Sequence, residues 1–241
     1  MPDIAILLTI VDNLISEKNA SLLRNIVQIK VTWQNALLNR TFRLNLILGL
    51  LALGVLAIFT FFFFDYIENR IGGIVMNDWV LKILPAKNVS IPIVFFEYSV
   101  MALFAFRCIS NPKMLVTFLL AYLLVLTTRD ITIGITQLRA PAGFIELKDP
   151  LAAMIYRCKT CNRDLFYSGH ASLIFLFYLC SLKRPDKFYI LFSYISISLL
   201  LLIQHVHYTI DVVCAPFFAY GCFWLSKKIP QYSPPVNLLN V

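Results

Sequence analysis

Only three histidines occur in these 241 residues, and each lies beside an apolar run. His170 ends Tyr167-Ser168-Gly169-His170 at the head of one run, and His205 and His207 open another in His205-Val206-His207-Tyr208-Thr209-Ile210-Asp211. Ionisable groups at membrane depth are costly, which makes each of them a functional candidate. His207 and Asp211 are four residues apart, so on a helix they share a face and the carboxylate can accept a hydrogen bond from the ring. Such a carboxylate fixes the tautomer and stabilises the imidazolium. The second ring nitrogen of His207 then points outward as a nucleophile for phosphorus. His170 is placed to serve as general acid toward the leaving oxygen and later as base. A lone buried histidine is usually structural, but two on one face with a carboxylate at i+4 favour chemistry.

Other residues offer binding or proton transfer. Ser168 and Gly169 let the backbone approach a phosphate, or simply form a helix N-cap. Arg129, at the end of an apolar run, can hold phosphate through two nitrogens, pair with Asp130 or snorkel to the interface. Asp164 and Glu146 lie in the connection before His170 and offer either a proton network or solvated loop carboxylates. His205 and Tyr208 flank His207 and join the candidate phosphate contacts. Glu97 sits well inside an apolar run and must be paired or protonated. Cys158 and Cys161 form a C-x-x-C that reads as a disulfide or as half a zinc site. No second C-x-x-C or His-x-x-x-His completes a tetrahedron, which weakens the zinc reading, and no cofactor is expected.

These residues need elements to hold them, and the composition says which. Apolar residues make up 59% of the chain and charged residues 14%, against roughly 25% charged in soluble domains. Leu44 to Phe64 carries no charge over 21 residues, long enough to cross about 30 Å of hydrocarbon as a helix. The reading is an all-α integral membrane protein with six spans: Leu44 to Phe64, Val89 to Phe106, Met114 to about Ile133, Leu165 to Leu182, Phe188 to Gln204, and about His205 to Ser226. Gly72-Gly73, Asn111-Pro112, Pro141, Pro150 and Arg184-Pro185 fall between them as breakers. Residues 44–228 then form the membrane catalytic domain and residues 229–241 a short tail. Residues 1–43 carry leucine, isoleucine and valine at mixed three- and four-residue spacings with Lys and Arg between, which predicts one or two amphipathic helices lying on the membrane or packed on the bundle. No cleaved signal is expected, because Asp3 and Asp12 bracket the short apolar stretch at the start. Cys108, Cys180, Cys214 and Cys222 lie in or beside the spans as structural thiols.

The net charge is +8, but the basic residues are spread between apolar segments, not gathered in a stripe with readout aromatics. Anionic lipid or phosphate is the expected partner, and nucleic acid is not. An N-terminus inside places 12 Lys and Arg on the cytoplasmic side against 9 opposite, which puts the histidines on the exoplasmic face. On this layout the fourth and sixth spans start on the same face. Two helix N-termini then favour an anion between His170 and His207. A transporter would show inverted repeats with broken helices, and no such internal similarity is present.

Asp164-Leu165-Phe166-Tyr167-Ser168-Gly169-His170 followed by His205-Val206-His207-Tyr208-Thr209-Ile210-Asp211-Val212-Val213 resembles the sphingomyelin synthase branch of the type-2 phosphatidic acid phosphatase superfamily. The resemblance is clearest from about Arg129 to Trp224. It implies that His207 forms a phosphohistidine, with Asp211 orienting it and His170 as acid and base, and no metal. The implied reaction moves a phosphocholine- or phosphoethanolamine-type headgroup from a glycerophospholipid to ceramide or a related lipid alcohol. Lipid phosphate hydrolysis at the same residues is the alternative, and oligomerisation is left open. The superfamily's upstream Lys-x6-Arg-Pro is absent, and Leu201 stands where an arginine six residues before the second histidine is usual. Arg129 is the substitute candidate for holding phosphate. Arg163 occupies a place where the animal synthases are expected to carry glycine.

Overall fold

The computed structural model describes residues 2–150 and 162–230, with side chains from residue 19 onward. Among these residues the chain is helical, and strand pairing is limited to a bridge between Ile74 and Leu138. The helices are α1 (Pro2–Leu38), α2 (Arg40–Asn69), α3 (Trp79–Ile83), α4 (Ser90–Ser110), α5 (Pro112–Thr136), α6 (Gly169–Cys180), α7 (Arg184–Ile203) and α8 (Thr209–Ser226). Five of them, α2, α4, α5, α7 and α8, are long and apolar enough to cross a membrane. The chain is therefore an all-α integral membrane protein.

The breaks follow from local chemistry. Asn39 separates α1 from α2 by accepting the Phe42 amide on its side chain at 3.0 Å, an N-cap interaction. Pro112 opens α5 beside Asn111, and Pro185 opens α7; at these positions proline costs no intrahelical hydrogen bond. Within the bundle α2 packs on α5, α4 on α7, and α6 against α7 and α8. Phe104, Phe118 and Phe177 stack at the centre with ring centroids 4.4 to 5.0 Å apart. In lipid such contacts act through close packing, because the surrounding acyl chains are as apolar as the helix faces. One end of α4 is joined to α7 by a two-pronged ion pair, Arg107 Nε and Nη2 donating to Asp186 at 2.6 and 2.9 Å.

Two features differ from the sequence expectation. The fourth expected span, Leu165 to Leu182, contains a helix of only 12 residues, Gly169–Cys180. Leu165, Phe166 and Tyr167 are not helical: Phe166 and Tyr167 hold φ of 78° and 40°, left-handed backbone that non-glycine residues rarely adopt. A six-span count therefore lacks one helix of full length. The last expected span begins at Thr209, four residues later than about His205, because His205 is itself left-handed at φ 55° and turns the chain before the helix starts. For the first 43 residues, a single helix α1 runs to Leu38. Its last turns pack on the bundle: Trp33 Nε1 donates to Ile109 O at 2.7 Å, and Ala36 joins Phe42, Val116 and Leu120 in a buried cluster. Cys158 and Cys161 lie outside the described residues, while Cys108, Cys180, Cys214 and Cys222 are free thiols.

Candidate active site

The site is built where α6 and α8 begin. These helices run in the same direction, separated by one return through α7, and their starts are tied by a hydrogen bond from Ser168 N–H to Asp211 C=O at 3.0 Å. Asp211 stands in the first turn of α8, fully buried. One oxygen, Oδ2, reaches back to accept the Tyr208 amide at 3.0 Å and faces His207 Nδ1 at 3.4 Å. The expected His207–Asp211 pair therefore forms, although His207 is not on the helix: the fold-back of a capping carboxylate, and not a shared helical face, joins them. His207 is 2% exposed. The other oxygen, Asp211 Oδ1, is buried with no hydrogen-bond partner. A neutral ring that donates from Nδ1 to this carboxylate leaves Nε2 with its lone pair free.

At the head of α6, Ser168 Oγ accepts the Ala171 amide at 3.4 Å, so the side chain caps the helix. Gly169 has a separate reason to be glycine. A Cβ there would lie 2.6 Å from Arg129 Nη1 and 2.7 Å from Cζ, so the guanidinium rests directly against the glycine backbone. Arg129, 4% exposed, forms an ion pair with Asp164 and donates from Nε to Tyr167 O at 3.4 Å. Asp164 is thus the carboxylate that its guanidinium bonds, while Asp130 Oδ2 accepts from Thr60 at 3.0 Å. Arg129 holds the irregular run before His170 from one side. Tyr167, fully buried, holds it from within by donating its hydroxyl to Val125 O at 2.8 Å and stacking on Phe218.

His170 is met by carboxylates from two other elements. Asp149 Oδ2 is 3.5 Å and Glu97 Oε2 3.8 Å from His170 Nε2. Glu97 is the charge that the sequence left inside the second span without a named partner, and its Oε2 is buried and accepts no hydrogen bond. Asp149 is steadied by Tyr98 O–H, donating to Oδ1 at 2.6 Å. Gln204 brings that loop into place. Its Nε2 donates to Ser90 Oγ at 2.8 Å and Glu146 O at 3.0 Å, while its Oε1 accepts the Val89 amide at 3.0 Å. Among the described residues, Glu97, Asp149 and His170 are the group whose donor atoms, within 4.8 Å of one another, could hold a metal ion. Two carboxylates beside one imidazole equally suit a ring that must take and give a proton.

The remaining sequence candidates are placed elsewhere. Glu146 is exposed and contributes its main-chain carbonyl to Gln204, so the loop carboxylate that reaches His170 is Asp149, three residues on. His205 braces two loops, its ring nitrogens facing Ala142 O at 2.7 Å and Leu84 O at 3.0 Å. Tyr208 accepts the Met76 amide at 3.0 Å and donates to Arg139 O at 2.8 Å, which fixes the 71–78 segment over the head of α8. Asp78 completes that fixture. Its Oδ1 accepts the Val80 amide and the Thr209 hydroxyl at 3.0 and 2.9 Å, and its Oδ2 accepts the Thr209 amide at 2.6 Å. Aspartate directly before Trp79-Val80-Leu81 is an N-cap signal that could have found it. Nothing in the sequence pattern singled out Asp149 or Gln204.

The site thus gathers a buried imidazole oriented by a carboxylate, a second imidazole backed by two carboxylates, and a guanidinium one residue from the latter. No curated protein and no solved structure matches the chain. Residues 160–228 match the family model described as PAP2 superfamily C-terminal. That stretch, less than a third of the chain, holds His170, His207 and Asp211, and there the chain is similar to the C-terminal part of the PAP2 superfamily.

Proposed function

We propose that this protein is a membrane lipid phosphotransferase that moves a phospho-headgroup, of phosphocholine or phosphoethanolamine type, from a glycerophospholipid to ceramide or a related lipid alcohol. His207 Nε2 attacks phosphorus, an N–P bond forms and the P–O bond to diacylglycerol breaks. His170 supplies the proton that the leaving oxygen takes. In the second half His170 removes the proton of the lipid alcohol, whose oxygen attacks phosphorus as the N–P bond breaks, and the enzyme is restored. Asp211 keeps the Nδ1 proton of His207 in place and offsets the positive charge of the phosphorylated ring. Glu97 and Asp149 stand 3.8 and 3.5 Å from His170 Nε2, where a carboxylate can take up or return its proton, and Arg129 adds positive charge beside it for the phosphate.

The observation that carries this reading is the buried His207–Asp211 pair together with the Ser168–Asp211 backbone bond that fastens the His170 helix to it. Purified protein in mixed micelles with headgroup-labelled phospholipid, assayed by mass spectrometry with and without ceramide, provides the test. The label should pass to ceramide for the wild type and should not move in His207→Ala or His170→Ala. Free headgroup phosphate in equal amounts with and without ceramide would replace transfer by hydrolysis. Unchanged transfer in His207→Ala would remove the mechanism altogether.

A further inference from the structure

At the end of the bundle opposite His170 and His207, the start of α5 and the ends of α6 and α8 enclose a cavity of about 530 Å³. That volume is within the range of small-molecule sites, roughly 300–1,000 Å³. Among the described residues three lysines line it, Lys113, Lys227 and Lys228, and no aspartate or glutamate does. Two of the lysines are steered by aromatic faces: Lys227 Nζ lies 4.2 Å from the Phe223 ring centroid and Lys228 Nζ 4.7 Å from that of Trp224. Below them the wall is apolar, with Met114, Leu179 and Phe223. A cationic rim over an apolar wall matches a lipid with a negative headgroup.

We propose that this basic cavity binds one acidic glycerophospholipid of the adjoining leaflet, with its phosphate among Lys113, Lys227 and Lys228 and an acyl chain along Met114, Leu179 and Phe223. The site is separated from the histidines by the length of α6 and α8, and its occupancy requires no turnover. A zwitterionic lipid brings its own cation and gains little from three lysines. An anionic one gains about fivefold in affinity per lysine near its phosphate, partly offset by screening.

The test uses the full chain in nanodiscs of phosphatidylcholine containing about one tenth phosphatidylserine, extracted gently and read by native mass spectrometry. The expected result is one phosphatidylserine per protein, close to the roughly tenfold ceiling that a bulk share of about one tenth allows, because three lysines at about fivefold each would fill the site. Lys113→Gln/Lys227→Gln/Lys228→Gln should return the bound lipid to bulk composition, whereas the three Lys→Arg changes should keep the enrichment. On the wild type alone, raising salt from about 0.05 to 0.5 M should weaken the enrichment, a measurement that stands even where the glutamine variant fails to fold. Bulk composition around the wild type, enrichment that persists in the glutamine variant, or indifference to salt would each overturn the proposal. Binding of inorganic phosphate without any lipid enrichment would overturn it as well.

Discussion

Replacing Gly169 by alanine separates the positioning of Arg129 from the stability of α6. The added methyl would lie 2.6 Å from Arg129 Nη1, while ordinary contact begins at 3.4 Å, so the guanidinium must retreat by about 0.8 Å. It has little room, being 4% exposed and tied to Asp164 and Tyr167 O. Position 169 is the first residue of the helix, and alanine there improves helix propensity by up to about 1 kcal/mol. Overpacking costs about 1–3 kcal/mol, so net stability should fall by no more than about 3 kcal/mol. The rate should suffer more: a displacement near 1 Å in positioned groups costs on the order of 10²-fold, and 0.8 Å predicts a loss between about 10-fold and 10²-fold in kcat. Initial rates of headgroup transfer in mixed micelles, with thermal unfolding in the same detergent, give both quantities. In an Arg129→Lys background, which lacks the fork, Gly169→Ala should cost less than about threefold, because changes that act through one contact are not additive. Full activity in Gly169→Ala, or an equal loss in both backgrounds, would refute the assignment of this glycine to Arg129.

Asp211→Asn should lower kcat by about 10³–10⁴-fold, as loss of the orienting charge does in other triads; single-turnover rates within tenfold of the wild type would contradict it. Asp149→Asn removes a charge 3.5 Å from His170 Nε2 while leaving an oxygen for Tyr98, and should lower transfer by on the order of 10²-fold with little change in KM. For Asp78, burial pushes the carboxyl up, but the Thr209 amide and hydroxyl and the Leu81 and Val80 amides outweigh it and hold the pKa below the ordinary 3.8. A carboxyl lowered on folding stabilises above its unfolded value, and that contribution disappears as pH falls through the folded value. The wild type should therefore lose, below about pH 4, a part of its stability that Asp78→Asn lacks at every pH; parallel melting-temperature profiles for the two would disprove this. Asp78→Ala should cost about 0.5–2 kcal/mol at neutral pH through the lost cap, measured by the same unfolding assay.

The long spans were legible because an uncharged run of 20 residues has few folded fates. Pro112 and Pro185 marked breaks between spans by the same hydrogen-bonding logic that acts in the structure. The His207–Asp211 pair was also legible from spacing, but for a geometry that differs from the one adopted. A four-residue separation satisfies both a helix face and a carboxylate reaching back over a capped turn, and sequence does not distinguish them. The shortness of α6 was hidden because Leu165-Phe166-Tyr167 reads as helix or strand material, whereas its left-handed backbone is imposed by Arg129, Val125 and Phe218 from elsewhere in the chain. The choice of Asp149 over Glu146 depends on the register of an irregular loop. That register is set by Gln204, nearly sixty residues away, and leaves no periodic trace.

A helix of 12 residues rises about 18 Å, well short of a hydrocarbon layer of about 30 Å. Irregular backbone survives at such depth only where protein or enclosed water meets its polar groups, and here Arg129 and Asp211 do so for Tyr167 and Ser168. On the proposed reading, the floor of the reaction chamber is therefore sunk beneath the waterline of the leaflet. A phospholipid then delivers its phosphorus by drifting sideways in its own plane, and the diacyl product departs the same way without being lifted into water. Bilayer thickness becomes a control on turnover: thick membranes should bury the entrance, and thin ones should open it.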